Sequence, residues 1–372
     1  MNIYLTSIFN YKLIIIFFSC IVLFQQAFGK EESCSANKEV CDWKEKVVAI
    51  KTPTMVASGV MLSDKLIVTN RHVIEDSRTV LVRLPNKKIV KGYSIPNNHV
   101  ADITFISLTE EVTDTKFDIK ITKPKTAIMI AFDIGRNDIR IFEEKSIISY
   151  PEKSNPQARI HSFTRNLPGT SGGALVDTKG NLVGIIASGG GEYNEAVPAS
   201  LLLSVYNNKE VQNSNFYQTG KAIRLCADAL EEIRGFQNNP GNLLLTKIRK
   251  NCELSKNKFL LDMAGQALGK IGLIEDAIYF LEKSTSLDPK SPTSLHSLAV
   301  ALHINKSYEK EILVLKKLLE YTPEDPQALR LAVQAAAYTK NKEFGEFAIS
   351  LMEIHNPGAV SLAKDFLDNA LN

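Results

Sequence analysis

The hydrophobic period of this chain changes once, near residues 207–215, and no single layer of secondary structure accommodates both halves. From Lys46 to about Tyr206, short apolar runs such as Lys46–Lys51, Ala57–Leu62, Lys65–Thr69, Thr79–Leu84 and Ile103–Leu108 are punctuated by turn residues. Spacing of about 8–12 residues with few helical patterns predicts an all-β barrel or sandwich. The polar stretch Asn207–Asn215 reads as a linker. Beyond it, apolar residues recur at the helical period of about 3.6. With 372 residues and about 150 per domain, two domains with separate cores are expected, all-β then all-α.

The second half also repeats. Pro289, Pro323 and Pro357 fall 34 residues apart. In the same register Leu261, Leu295 and Leu329 correspond, as do Ala264, Leu298 and Ala332, and then Leu281, Leu315 and Ile349. This pattern resembles the tetratricopeptide repeat, with Ala264-Gly265, Ala277 and Pro289 as the best-matched set. Glu311 and Gly345 stand where the first unit has the small residue Ala277, so the later units are degenerate. The expected organisation is a helical domain over 220–372 with units at about 258–291, 292–325 and 326–359, preceded by a linker at 207–219. Ala359–Leu371 suits a capping helix. Such an array implies a concave groove for a peptide or partner protein; an ordinary helical bundle is the alternative.

The N-terminus predicts export. Lys12 precedes the apolar run Leu13–Phe24, and small residues at Ala27 and Gly29 suit signal cleavage after Gly29, so 1–29 reads as a signal peptide. The run is shorter than the roughly 20 residues that span a bilayer. A stable membrane anchor is therefore not expected after cleavage, an uncleaved anchor being the alternative. In an exported, periplasmic or secreted protein, the remaining Cys34, Cys41, Cys226 and Cys252 are expected to pair. Locality favours Cys34–Cys41 and Cys226–Cys252 among the three possible connectivities. Zinc is disfavoured because no C-x-x-C or Cys/His cluster has ligand spacing, and no metal or organic cofactor is expected. A formal charge of +3, without a basic run, gives no reason to expect a nucleic-acid partner.

The chemistry centres on Asn166-Leu-Pro-Gly-Thr-Ser-Gly-Gly-Ala-Leu-Val176. A serine between glycines, followed by a small apolar run, suits a nucleophile on a tight turn entering a strand. The backbone N–H groups of Gly169 and Ser171 are placed to donate to an oxyanion. A serine hydroxyl is a weak nucleophile without a base and an orienting acid. His72, directly after the predicted strand ending at Thr69, is the candidate base. Asp102, leading into the apolar Ile103–Leu108, is the candidate orienter, because an aspartate entering a buried strand requires a partner. Separately each has a plainer reading: a hairpin turn, a structural histidine, a turn cap. His296, His303 and His355 lie in the helical half, His161 within a strand and His99 in a polar loop.

Together, Thr69-Asn-Arg-His-Val73, Ala101-Asp-Ile-Thr-Phe105 and Gly169-Thr-Ser-Gly-Gly173 resemble the three signatures of trypsin-like serine peptidases, and most nearly those of the bacterial HtrA-type group. Leu182–Ala187 and Ala196–Ser200 are similar to that group's later segments. The resemblance covers about Lys46 to Tyr206, within an expected peptidase domain at 40–206, and implies two six-stranded β-barrels with the cleft between them. It implies that Ala187, Ser188 and Gly189 pair with an extended protein or peptide substrate. It places Phe163 and Arg165 in the segment at the base of the pocket for the substrate side chain preceding the scissile bond. Ser162–Asn166 holds no acid, which argues against a preference for Arg or Lys. Thr170 departs from the Asn or Asp usual before the nucleophile. An α/β-hydrolase elbow fits the letters Gly-x-Ser-x-Gly but needs alternating strands and helices, which do not follow Ser171. The function implied is an exported serine endopeptidase with a helical-repeat binding module; the alternative is a non-catalytic scaffold that retains the barrel.

Overall fold

The first barrel forms from six short apolar runs, of which two alternate regularly. β1 (Val47–Lys51), β2 (Val56–Met61), β3 (Leu66–Thr69), β4 (Thr79–Arg83), β5 (Ile89–Ile95) and β6 (Thr104–Leu108) close in the order β1-β2-β3-β6-β5-β4. In β4 and β5 every second residue is buried and the next faces outward, the two-residue period of a half-buried strand, whereas β1, β2, β3 and β6 are buried at almost every residue. Val48, Ile50, Ile67, Val82 and Ile106 fill the interior. This computed structural model describes residues 34–112, 122–152, 154–164, 167–190, 193–209, 214–236 and 240–372. Residues from Lys38 onward form one unit, opening with the short helix α1 (Lys38–Cys41). The expected signal peptide, 1–29, lies outside the described residues.

The second sheet contains β7 (Thr126–Asp133), β8 (Asp138–Ile141), β9 (Lys145–Ser149), β10 (Ile160–Ser162), β11 (Ala174–Val176), β12 (Leu182–Gly190) and β13 (Tyr193–Pro198). Its order is β11-β12-β13-β10-β9-β7-β8, and β11 also pairs with β7, closing six strands into a second barrel with β8 at the edge of β7. Met129, Ala131, Leu175, Val183 and Ile186 form its core. The strand β13 was not among the apolar runs read from sequence, because Asn194 and Glu195 interrupt its hydrophobicity. Both are nevertheless buried.

Between the barrels and the helical half, α3 (Leu202–Asn207) precedes α4 (Ser214–Ile233). The helix thus starts inside the segment 207–219 expected as linker. Ser214–Gly220 are helical because Phe216 is buried there, and Arg71 of the first barrel lies over its ring at 3.7 Å. Cys226 on α4 is bonded to Cys252 on α5 (Asn242–Ser255). Cys34 and Cys41 are oxidised as well.

Six helices follow in three pairs: α6 (Lys258–Lys270) with α7 (Ile274–Leu287), α8 (Pro292–Ile304) with α9 (Tyr308–Tyr321), and α10 (Pro326–Thr339) with α11 (Lys342–His355). Equivalent helices begin 34 residues apart, and α12 (Val360–Leu371) closes the array. The starts are set chemically. Asn257, Ser291 and Asp325 each accept a backbone N–H in the first turn of α6, α8 and α10, and Pro292 and Pro326 open the latter two, where a missing N–H costs nothing. Leu295, Leu315, Leu329, Ala332 and Ile349, all named by the repeat register, share one buried cluster. Glu311 is fully buried on α9 and lies 3.0 Å from the His303 Nδ1. Burial pushes its carboxyl up to about 8.

Two outcomes follow. Replacing Cys226 and Cys252 by serine should lower the unfolding free energy by about 2–4 kcal/mol, seen as a lower denaturant midpoint under non-reducing conditions. For Glu311 the folded state holds a proton that the unfolded chain releases from about pH 4.5 upward. The stability tied to that proton is therefore full below pH 4.5 and lost as pH rises to about 8. Glu311→Ala should raise the thermal midpoint at pH 8 by an amount worth about 1–2 kcal/mol, with little gain at pH 5.

Candidate active site

His72 sits on the one-turn helix α2 (Arg71–Ile74) that follows β3, and Asp102 sits in the turn leading into β6. Because β3 and β6 are paired neighbours, these two ends of sequence are held side by side. Asp102 uses both oxygens on His72: the ring Nδ1 is 2.7 Å from Oδ2, and the backbone N donates to Oδ1 at 3.0 Å. Asn70 donates through Nδ2 to the Asp102 carbonyl at 3.1 Å. The clamp fixes both the position and the tilt of the ring, leaving Nε2 as the nitrogen available for proton transfer. Burial by itself pushes the Asp102 carboxyl up; the charge of His72, its hydrogen bonds and Arg159 outweigh this and hold it at about 2. Arg159, just before β10, donates from Nη2 to Asp102 Oδ2 at 3.3 Å. No sequence motif pointed to it; its only signal was a charged residue beside an apolar strand.

Ser171 is carried on the loop ahead of β11, and that loop is strapped to the first barrel. Ser58 on β2 donates through Oγ to the Gly169 carbonyl at 2.7 Å and through its N–H to the Ser171 carbonyl at 2.7 Å. The same Oγ accepts from Phe132 N at 2.8 Å, and the Ser58 carbonyl accepts from Thr69 Oγ1 at 2.8 Å. Thr170 Oγ1 donates to the Leu167 carbonyl at 2.8 Å, so the residue that departs from Asn or Asp closes the turn with its own hydroxyl. Gly172 has φ +87°, and a Cβ there would lie 2.0 Å from the Ser58 carbonyl oxygen. Only glycine fits this crossing.

The Ser171 hydroxyl donates to the Ala187 carbonyl at 3.0 Å, and among the described residues it forms no hydrogen bond with His72. Ala187 supplies a free carbonyl because the β12–β13 register shifts between Ile186 and Ser188, leaving it as the extra residue of a bulge. Ser188 and Gly189 pair with Glu195 and Asn194 of β13. The Phe163 ring stands 5.7 Å from that of Tyr193. Arg165 lies outside the described residues.

Glu195 was absent from the sequence-derived site, yet its Oε2 accepts from Ser188 Oγ at 3.0 Å. It is not a free acid: Lys258 Nζ and Ser291 Oγ both donate to Oε1. Burial pushes Glu195 up, but Lys258, His161 and Arg159 bring it well below the usual range. His161, Glu195 and Asp288 place possible metal-ligand atoms within 4.8 Å of one another. Their donor set does not suit a cation. Glu195 is already neutralised by Lys258, while Asp288 Oδ2 accepts from His161 Nε2 at 2.9 Å and from Arg159 N at 3.2 Å.

This double barrel, with a histidine–aspartate pair on one barrel and a glycine-strapped serine on the other, is the architecture of a trypsin-like peptidase. Residues 57–185 match the family model described as the trypsin-like peptidase domain, and the chain carries such a domain. A curated relative, "Serine protease Do-like HtrA" of Lactobacillus helveticus, is 30% identical over 132 residues, 32% of this chain and 31% of that protein; the match thus spans about a third of the relative's length. Among solved structures, the serine endoprotease of Yersinia pestis is 22% identical, with a TM-score of 0.40 over 52% of this chain and 70% of that one. An inactive form of Rv3671c from M. tuberculosis is 17% identical, with a TM-score of 0.39 over 46% of this chain and 89% of that one.

The Gly172 crossing gives a direct test. Gly172→Ala should destabilise the protein by at least about 3 kcal/mol in denaturant unfolding. Gly358→Ala, where a Cβ meets nothing within 4 Å, should leave the midpoint near that of the parent.

Proposed function

We propose that the chain is an exported serine endopeptidase whose helical array binds substrate or a partner protein. The observation that carries this reading is the two-point clamp of Asp102 on His72, within a domain whose serine loop is tied to the same barrel. His72 Nε2 takes the Ser171 proton as Oγ attacks the scissile carbonyl, and the Gly169 and Ser171 N–H groups receive the oxyanion. The imidazolium then gives its proton to the leaving amine, and water repeats the sequence to release the acyl group. Asp102 remains ionised throughout and stabilises the imidazolium. For the attack, the Ser171 hydroxyl leaves the Ala187 carbonyl and turns to His72. The edge Ala187–Gly189 pairs with the extended substrate backbone.

Specificity follows from the same wall. Phe163 and Tyr193 supply apolar surface, and Glu195 is neutralised by Lys258, so an uncharged side chain is the expected preference before the scissile bond. The 34-residue helix pairs support a tetratricopeptide-like array whose groove holds protein ligands near the cleft, raising their local concentration. The apolar N-terminal segment and the oxidised cysteines support export to the periplasm or outside the cell. Among the described residues, no helix is long and apolar enough to cross a membrane.

The alternative, a scaffold without catalysis, is favoured by one observation, the Ser171 hydroxyl resting on Ala187. A fluorophosphonate probe separates the two. The folded protein should be labelled, and labelling should be lost in Ser171→Ala. A folded wild type that stays unlabelled would leave the scaffold reading standing.

A further inference from the structure

The helical half does not merely follow the peptidase domain; its charges are buried among those of the active site. Lys258, the first residue of α6, is 2% exposed and pairs with Glu195 of β13. Ser291, which caps α8, donates to the same carboxylate at 2.9 Å. Asp288, after α7, is fully buried and accepts from the Arg159 backbone N–H and the His161 ring. Phe259, next to Lys258, places its ring centroid 6.0 Å from that of His72.

We propose that Arg159 is a positioning residue for the catalytic pair, held against Asp102 by Asp288, so that the docked helical domain forms part of the active site. This rests on the peptidase reading. Arg159 is 3% exposed, and its Nη2 reaches Asp102 while, among the described residues, its Nε and Nη1 have no hydrogen-bond partner. A buried guanidinium with one engaged nitrogen is costly; what offsets it is the carboxylate of Asp102. Asp288 fixes the backbone at Arg159 and, through His161, the start of β10, so the guanidinium has one place to go. The Phe259 ring limits how far the imidazole can swing on that side. Substrate or partner binding that shifts α6 or the α7–α8 turn acts on His72 and Asp102 through these contacts.

The groups that face the pair are Arg71 on α2, Arg159, and His99 in the loop before Asp102, with His161, Glu195, Lys258 and Asp288 behind them. Arg71 is committed to the Glu75 and Phe216 carbonyls. Arg159 is thus the cation bonded directly to Asp102, and its removal strengthens the hold of Asp102 on a protonated His72. In Arg159→Met, the midpoint of the His72 ring resonances, followed by NMR in the full chain, should move up by about one pH unit. Arg159→Lys, which keeps the charge, should restore it. Should Arg159→Met not fold, Arg159→Gln carries the same expectation. Asp288→Ala should slow fluorophosphonate labelling about tenfold or more, whereas Asp325→Ala, which removes the cap of α10 away from the interface, should not. A ring midpoint unmoved in the folded Arg159 variants overturns the inference, as does equal slowing in Asp288→Ala and Asp325→Ala. A wild type that never labels defeats the peptidase reading, and the ring titration still decides the role of Arg159.

Discussion

A buried carboxylate must be compensated, and much of this molecule can be understood as compensation for Asp102. Its two oxygens are shared by the backbone and ring of His72 and by Arg159. Left alone in an apolar interior, such a group would take up a proton rather than remain charged. Here the surrounding donors keep it ionised, so it holds one nitrogen of the imidazole as a donor and frees the other. The β3–β6 pairing that brings the two residues together is ordinary sheet structure. The charge is what makes the placement chemically specific.

Compensation then propagates. Arg159 brings a positive charge into the interior, Asp288 holds its backbone, and Glu195, beside the same strand, is matched by Lys258. Each added ion needs another, and the sequence of partners runs from the first barrel, through the second, into the helices. Breaking such a chain at any link leaves an unpaired charge, whose cost exceeds what an intact pair contributes. The two halves differ in secondary structure but are joined by polar contacts that neither completes alone.

Legibility in the sequence divides along physical lines. Period-two alternation marks β4 and β5, which have one wet face, whereas β1, β2, β3 and β6 are buried at almost every residue and are legible as short apolar runs between turns. The helix pairs were legible because the caps and prolines recur with the apolar register. His72, Asp102 and Ser171 stood out through their immediate neighbours. What escaped were residues whose partners lie far along the chain. Ser58 carries no local mark, yet it ties the serine loop to the first barrel across 111 positions. Glu195 and Arg159 interrupt or flank apolar strands and find counter-charges or carboxylates only in the folded state. The start of α4 within the expected linker has the same cause: Phe216 and Tyr217 follow an asparagine-rich polar run, and the helix is fixed by Phe216 against Arg71.

The strand that follows the serine has only three residues, Ala174–Val176, bonded to β12 on one side and β7 on the other. A segment so short and so fully enclosed has no slack. An inserted or deleted residue between Ser58's contacts and this strand would turn Leu175 away from the core and remove the serine from its strap in one step. The loop that carries Ser171 thus has its length fixed at both ends, by Ser58 and by the three residues of β11.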